Sequence, residues 1–589
     1  TDLAGGARFG YQLVWVLLMS NLMAMLLQTL SARLGVVTGK DLAQACRDYY
    51  PRWLSVPLWI LCEVAIVACD LAEVLGAAIG MKLLFGIPLL WGVLITALDV
   101  LLLLALPRLG MRRMEAFILV LVTTIGVCFA IEMALSHPEL GAILRGFIPR
   151  GEDGSLTLFR RDPGGGLSVL GLNGGSLYVA MGILGATVMP HNLYLHSALV
   201  QSRAVERSEE GKREACRMNL VDTAIALNCA LFVNAAILIL AAAVFHTGQY
   251  QDVARLEDAH RLLAPLLGTA LASTVFAIAL LCSGQASTVT GTLAGQIVME
   301  GFLRIRIRPW LRRLISRGLA IIPAALFIGL RGADAVDDLL VLSQVVLSLQ
   351  LAFAVIPLIT FTSDRRRMGA FVNPPWVIAL AALTAIIIVG LNANLVAQQV
   401  SVWFAAAGPG AWWLRLIVLP VVAGLGALVI YITLKPMLRR FGPARAGRAP
   451  EVPSLPAGAA PAPGLHVRTV PTGDPWRTVA VALELGPADA VVLEHVRAVE
   501  MTTRTRLVLL HVVESAAGRY LGPESSDQEA RDDRTALEAI AESLRGSGAQ
   551  ADVLLGYGSP TQELARLAFR DPDQLLHAVG KPRHGWQAG

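Results

Sequence analysis

Apolar runs long enough to cross a bilayer recur along most of the chain. A helix that spans the hydrocarbon core needs about 20 consecutive, mainly apolar residues. Eleven such runs cover residues 10–28, 57–80, 88–105, 116–135, 174–200, 220–244, 262–298, 314–330, 339–360, 376–397 and 413–434. Because backbone polar groups in lipid must be satisfied within the chain, these runs predict an all-α polytopic membrane protein.

Composition excludes the main alternatives to a membrane protein. Hydrophobic residues make up 55% of the chain and charged residues 16%, whereas soluble domains carry about a quarter charged residues. The net charge of +5 is too small and too scattered for a nucleic-acid binder. The seven cysteines form no Cys-x-x-Cys pair, so we interpret them as small core residues rather than disulfides or zinc ligands.

Basic residues follow every odd-numbered run, which sets the predicted orientation. Lysine and arginine are enriched in cytoplasmic loops, so the odd runs and the C-terminal segment are expected to end in the cytoplasm of a cell (inner) membrane protein. The first run must then cross from outside to inside. A chain with a cytoplasmic N-terminus would need one more span before residue 1.

The pattern of hydropathy divides the chain into three segments. Residues 1–440 form the transmembrane part, and residues 441–475 read as a linker rich in Pro, Ala and Gly. Residues 476–589 alternate strand and helix patterns, which predicts a small cytoplasmic α/β domain with a parallel sheet. Its predicted strands lie at 477–483, 506–513 and 552–555, and its predicted helices at 487–500, 528–544 and 560–569.

The run over 174–200 contains an interruption. Pro190 has no backbone N–H and clashes with the turn before it, which Gly185 loosens further. Unwound backbone in a membrane is tolerated where it lines a cavity or is buried in protein. The carbonyl group of Ala186 would then be a hard ligand and the thioether of Met189 a soft one. A proline-kinked helix with a methionine filling a gap is the alternative.

His191 follows the interruption, and an ionisable residue inside a span indicates function. Glu63, Asp70 and Glu73 lie in one apolar run at spacings that keep them on roughly one helix face. Carboxylates facing lipid would be costly, so this face is expected to look into the bundle. It is either a proton relay or cation vestibule, or a set of structural hydrogen bonds.

Two further runs carry polar residues. Small and hydroxylated residues over 283–296 favour close helix packing. In the run over 339–360, Gln344 faces a central site or forms a hydrogen bond between helices.

Together these motifs resemble the Nramp family of proton-coupled divalent metal transporters, over essentially all of residues 1–440. The matching segments are the acidic motif of the third helix, the motif of the sixth helix and the transport signature of the eighth helix, at Asp70-Leu71-Ala72-Glu73, Met189-Pro190-His191 and residues 284–301.

The resemblance implies a LeuT-like fold of two inverted five-helix repeats, each with a broken first helix. It implies import of Mn²⁺ or Fe²⁺ with protons, with Ala186 and Met189 among the metal ligands, and we add Gln344 as a third candidate. No prosthetic group and no enzymatic activity are expected. We place in the proton pathway Glu63, Asp70, Glu73, His191, Arg312 and Arg313.

One family motif is expected outside this sequence. The family's first helix carries an Asp-Pro-Gly-Asn motif whose Asp and Asn bind the metal. Residues 1–7 look like the continuation of that helix, so we expect the motif immediately before Thr1 and the first helix to be largely missing.

The segment from about Arg477 resembles a universal stress protein domain. Nucleotide-binding members have an Asp after the first strand and a glycine-rich phosphate loop after the fourth. Here Leu483-Glu484-Leu485 follows the first strand, and Gly580 and Gly585 lack the expected spacing. Nucleotide binding is therefore not predicted, and the final strand is expected to be missing.

Two other functions remain open. One is a magnesium or organic-substrate transporter of the same fold, against which Met189 argues, because a thioether does not suit Mg²⁺. The other is a non-transporting membrane sensor that signals through the C-terminal domain.

Overall fold

The structure is a computed structural model of the whole chain. The residues that it describes are 1–98, 111–150, 159–161, 167–169, 171–202, 208–246, 256–267, 269–303, 309–331, 336–407, 412–440, 478–485, 489, 492–493, 506–513, 528–546, 550–557, 563 and 577–579. The side chains at some of these positions, including Arg313, lie outside the description. The chain divides into two units, Thr1–Val200 with Val205–Phe441, and Gln201–Ala204 with Gly442–Gly589.

The first unit is helical. In chain order, its described helices are α1 (Asp2–Phe9), α2 (Val14–Thr38), α3 (Leu42–Tyr49), α4 (Arg52–Phe85), α5 (Leu89–Ile95), α6 (Met111–Ser136), α7 (Leu140–Gly146), α8 (Gly174–Val188), α9 (Pro190–Leu199), α10 (Glu209–Val244), α11 (Leu256–Leu267), α12 (Ala270–Leu303), α13 (Pro309–Arg331), α14 (Val336–Thr362), α15 (Arg365–Met368), α16 (Pro375–Ala407) and α17 (Trp412–Arg440). Two short strands, β1 (Phe159–Arg161) and β2 (Leu167–Val169), pair antiparallel between α7 and α8.

Local sequence signals set the helix ends. A capping box starts α3, because the Asp41 side chain accepts from the backbone of Gln44 and the Gln44 side chain accepts from the backbone of Asp41. Gly39 and Gly86 end α2 and α4 in left-handed conformations, with φ of 66° and 69°.

Seven described helices are long and apolar enough to cross a membrane. They lie within Asp2–Thr38, Ala116–Ser136, Glu209–Val244, Leu271–Leu303, Leu339–Thr362, Pro375–Ala405 and Val418–Pro436. Shorter apolar helices occupy Leu89–Leu98 and Leu314–Leu330. The predicted run over 174–200 is divided between α8 and α9, and the run over 57–80 lies inside the 34-residue α4.

The acidic helix α4 packs against α12 and α14 in the core of the first unit. The contact with α12 is close, since a Cβ at Gly284 would lie 3.0 Å from the Cβ of Ala77. A Cβ at Gly291 would lie 3.0 Å from Oε1 of Glu73. These approaches are the packing that the small residues over 283–296 predict.

The second unit contains a four-stranded parallel sheet. Its described elements are β3 (Thr478–Ala482), β4 (Arg506–Val513), α18 (Gln528–Gly546), β5 (Gln550–Tyr557) and β6 (His577–Val579), with strand order β5-β4-β3-β6. Buried aliphatic side chains of β3, β4 and α18 form its core. The predicted helices over 487–500 and 560–569 lie mostly outside the described residues.

A fourth strand extends the sheet beyond the three strands that the sequence predicts. β6 pairs in parallel with β3, with Val479 opposite His577 and Val481 opposite Val579. A strand of three residues is too short to give a recognisable alternation, which is why the pattern did not reveal it.

Candidate metal centre

The predicted interruption is a sharp break at one residue. Helix α8 ends at Val188, α9 begins at Pro190, and Met189 between them has φ 46° and ψ 95°. The N–H of Met189 donates to the carbonyl of Gly185, but Pro190 has no N–H to offer the carbonyl of Ala186 four residues before it. The break therefore releases a backbone carbonyl, as the sequence predicts.

The two residues that carry the candidate metal ligands at the break are partly exposed. Ala186 and Met189 are half-buried, while Val188 between them is buried. The side-chain amide of Asn192 donates a hydrogen bond to Sδ of Met189 over 3.2 Å. Asn192 thus holds the sulfur in place, a role that sequence reasoning did not assign. The turn offers a hard oxygen and a soft sulfur to one cation.

Helix α14 passes directly against the break. A Cβ at Gly185 would collide with the carbonyl oxygen of Gln344 and lie 2.8 Å from the backbone N of Ser348. Only glycine allows this approach, which brings Gln344 beside the turn before Met189. The amide of Gln344 donates to Oγ of Ser343 over 3.1 Å, within its own helix.

The first residues of the chain lie next to the same helix. A Cβ at Gly182 would be 2.9 Å from Cγ2 of Thr1, and a Cβ at Gly5 would be 3.4 Å from Cγ1 of Val179. Helix α1 therefore starts less than two turns from the α8 break and runs along α8.

The acidic residues of α4 face into the bundle and meet arginines of α13. Asp70 and Glu73 are buried, and Glu63 is half-buried. Arg312 forms an ion pair with Glu63 at 3.0 Å, and the buried Arg317 forms one with Glu73 at 3.5 Å. The ion pairs satisfy the condition that buried charges be paired.

Arg317 is the functional candidate that sequence reasoning missed. The family resemblance led us to place Arg312 and Arg313 in the proton pathway, and the side chain of Arg313 lies outside the described residues. Nη1 of Arg317 also donates to the backbone carbonyl of Asp70 over 3.5 Å. An arginine about two turns into α13, within the apolar run over 314–330, was the available signal.

His191 connects the break to the acidic helix through a cysteine. The imidazole is 2% exposed, and its Nε2 lies 3.9 Å from Sγ of Cys69. That sulfur lies 3.8 Å from Oε1 of Glu73. Polar side chains therefore run from the residue after Pro190 to the ion pair with Arg317. From the sequence, Cys69 is expected only to be a small core residue.

A polar cluster also lies at the carboxyl ends of the strands in the second unit. Nδ1 of His511 is hydrogen-bonded to the carbonyl oxygen of Leu483 over 2.8 Å. Its Nε2 is hydrogen-bonded to a carboxylate oxygen of Asp533 on α18 over 3.1 Å. Burial lowers the pKa of His511, but the hydrogen bonds to Asp533 and Leu483 and the negative charges of Asp533 and Asp489 outweigh it and raise the pKa above its ordinary value.

The first unit is an apolar helix bundle in which one helix is interrupted. Candidate metal ligands lie at the interruption, and buried carboxylates lie beside it. This combination is typical of secondary membrane transporters. The chain belongs to the Nramp family, since the family model described as natural resistance-associated macrophage protein-like matches residues 1–398.

Named relatives and solved structures agree with this assignment. The chain is 57% identical over 403 residues to a divalent metal cation transporter MntH of Nostoc sp., covering 68% of this chain and 87% of the relative. It is 58% identical over 395 residues to the MntH of Xanthomonas campestris, covering 67% and 85%. Crystal structures of Eremococcus coleocola manganese transporter variants match with TM-score 0.66 and 37% identity, over 75% of this chain and 91% of theirs.

Proposed function

We propose that the chain is a secondary active transporter that brings Mn²⁺ or Fe²⁺ into the cytoplasm together with protons. The observation that carries the proposal is the break at Met189, where Ala186 and Met189 are both half-buried and Pro190 leaves the Ala186 carbonyl without its helical donor. The names of the relatives support a divalent metal as the substrate.

The donor set favours transition metals over the abundant hard cations. Ca²⁺ and Mg²⁺ take oxygen ligands, whereas sulfur contributes to binding of softer divalent ions. Ala186, Met189 and Gln344 are our proposed ligands in this chain.

Protons would move along a row of polar side chains that begins at the same site. We propose that His191, Asp70 and Glu73 receive them, and that Glu63 with Arg312 and Arg313 forms the cytoplasmic end. Contacts among His191, Cys69, Glu73 and Arg317 support a continuous path on α4, α9 and α13.

The second unit is proposed to be a cytoplasmic regulatory domain of the universal stress protein type. The basic residues after the last span, Lys435, Arg439 and Arg440, favour a cytoplasmic C-terminus in the inner membrane. The parallel sheet order supports the fold assignment.

Uptake by proteoliposomes tests the function. The full-length protein should accumulate Mn²⁺ when the outside is acidic, and a large excess of Mg²⁺ or Ca²⁺ should compete weakly. Equal competition by Mg²⁺ would favour the magnesium alternative. Mn²⁺ binding without any uptake would favour the non-transporting sensor.

A further inference from the structure

Glu132 is a buried carboxylic acid that belongs neither to the candidate metal centre nor to the acidic face of α4. It lies on α6, one turn before that helix ends at Ser136, and it is 0% exposed. Both of its carboxyl oxygens are buried, and neither has a hydrogen-bond partner among the described residues. In the predicted orientation α6 ends on the outer side of the membrane, so Glu132 lies in the outer half of its span.

The surroundings of Glu132 are apolar. Cys128 and Phe129 lie one turn earlier on the same face of α6 and belong to a buried apolar cluster. Helices α10 and α12 pack against α6, and the ring of Phe129 meets that of Phe276 on α12 edge-on, with centroids 6.5 Å apart. Helices α1 and α11 add small and aliphatic side chains to the same cluster.

The helices around this cluster place no partner against Glu132 in the described part of the chain. On α12 the thiol of Cys282 interacts with that of Cys128, and residues 230–244 of α10 contain no titratable side chain. The charged or titratable residues of the two other helices are Asp2 and Arg8 on α1, and Glu257, Asp258, His260 and Arg261 on α11. None of these described side chains forms a hydrogen bond or an ion pair with Glu132.

An ionised carboxylate at this position would be an unpaired charge in apolar surroundings, which is strongly unfavourable. The neutral acid avoids that cost. We propose that Glu132 is a second proton-binding site, separate from the carboxylates of α4, and that it holds a proton whenever α6 is packed against α10 and α12 as in this structure. The binding of the proton does not rest on the proposed transport function.

A proton bound there links the packing of the outer half to external acidity. Separation of α6 from α10 and α12 would hydrate the carboxyl group and let it ionise, whereas their packing requires the proton. Because the proton binds the packed conformation more tightly than the separated one, a lower external pH favours the packed conformation. The proton is taken up from the outer side and returned to it, so it is not one of the protons that cross with the metal.

Infrared difference spectra test the proton without any transport. The spectrum of the purified full-length protein at neutral pH, minus that of Glu132→Gln, should show the carbonyl stretch of a protonated carboxylic acid. Glu139→Gln is the control, since the side chain of Glu139 is 75% exposed and its difference spectrum should show the bands of an ionised carboxylate. Glu132→Met serves the same comparison if Glu132→Gln does not fold. Carboxylate bands in the Glu132 difference spectrum overturn the site.

The link to external acidity is measured on Mn²⁺ uptake by proteoliposomes, and this part alone rests on the proposed function. Uptake is recorded as the external pH is raised at constant internal pH. Glu132→Gln cannot ionise, so it should lose less of its rate at alkaline external pH than the parent, and Glu139→Gln should follow the parent. A profile of Glu132→Gln that coincides with that of the parent overturns the link. A parent protein that shows the protonated acid but takes up no Mn²⁺ counts against the proposed function instead.

Discussion

At the scale of single residues, Met189 combines a metal donor with an unusual backbone. A non-glycine residue with positive φ costs about 1–3 kcal/mol and persists only where its surroundings enforce it. Pro190 prevents the helix from closing, and Asn192 fixes the sulfur. The strained backbone at Met189 therefore occurs together with a sulfur atom and a carbonyl group that an unbroken helix would not offer to a metal ion.

Met189→Ala is expected to change selectivity more than transport itself. Loss of the soft ligand removes the advantage of Mn²⁺ over Ca²⁺, because the remaining oxygen donors suit both ions. Competition by Ca²⁺ against Mn²⁺ uptake should increase by about tenfold, the effect of about 1.4 kcal/mol. Met218→Ala, at an exposed position on α10, is the matched control. Unchanged discrimination against Ca²⁺ would remove Met189 from the ligands.

Arg317→Met is expected to destabilise the protein by about 3–5 kcal/mol, because it removes the ion-pair partner of a buried carboxylate. The double variant with Glu73→Gln should recover part of the lost stability, because both charges of the ion pair are then removed. Thermal unfolding in detergent of the two single variants and the double variant measures the coupling. Additive effects would show that the 3.5 Å contact between Arg317 and Glu73 contributes no stability.

At the scale of elements, two close helix contacts occur at glycines. Gly185 allows the close contact of α8 with α14, and Gly284 allows that of α4 with α12. These contacts place the break, Gln344 and the acidic face in one region. Both close approaches therefore depend on keeping glycine at these positions.

Gly185→Ala is expected to reduce Mn²⁺ uptake strongly and lower the unfolding temperature. Its Cβ would meet the backbone carbonyl of Gln344, which cannot rotate away. Gly390→Ala on α16 is the control, since a Cβ there meets nothing within 4 Å and helix propensity favours alanine by about 1 kcal/mol. If Gly185→Ala transports and unfolds as Gly390→Ala does, the proposed contact between α8 and α14 is wrong.

Elements with local signals could be predicted from the sequence, and contacts between distant elements could not. Pro190 marks its break by itself, because the missing N–H is a property of that residue. The pairing of Arg317 with Glu73 joins residues 244 positions apart, so no spacing rule connects them. Cys69 was missed for the same reason, since its partner His191 lies on another helix. The ligand roles of Ala186, Met189 and Gln344 remain predictions.

At the scale of the whole molecule, a membrane unit of the Nramp family is joined in one chain to a second unit with its own parallel sheet and core. The family model ends at residue 398, so the Gly442–Gly589 part of the second unit lies outside it. Its His511 bridges the end of β3 and helix α18.

The bridge should stabilise α18 under acidic conditions. The pKa of His511 is raised above its ordinary 6.5, so its stabilisation is fully present below that value and is lost as the pH rises through the raised folded pKa. Hydrogen exchange of peptides over 528–546 is compared at equal pH between the parent and Asp533→Asn. Protection should differ most at about pH 6 and converge in alkaline solution. The exposed Glu542→Gln on the same helix should resemble the parent, and identical protection of Asp533→Asn at about pH 6 would contradict the prediction.

The central claim is that one site at the α8 break moves a divalent metal while the acidic helix α4 moves the protons. The most direct test records Mn²⁺ influx and internal pH together in proteoliposomes containing the full-length protein or its Asp70→Asn variant. The parent is expected to acidify the lumen in step with Mn²⁺ entry, whereas Asp70→Asn should bind Mn²⁺ nearly as well and no longer acidify it. Acidification by Asp70→Asn in step with Mn²⁺ would contradict the account, because the buried carboxylates would then be structural and the protons would take another path.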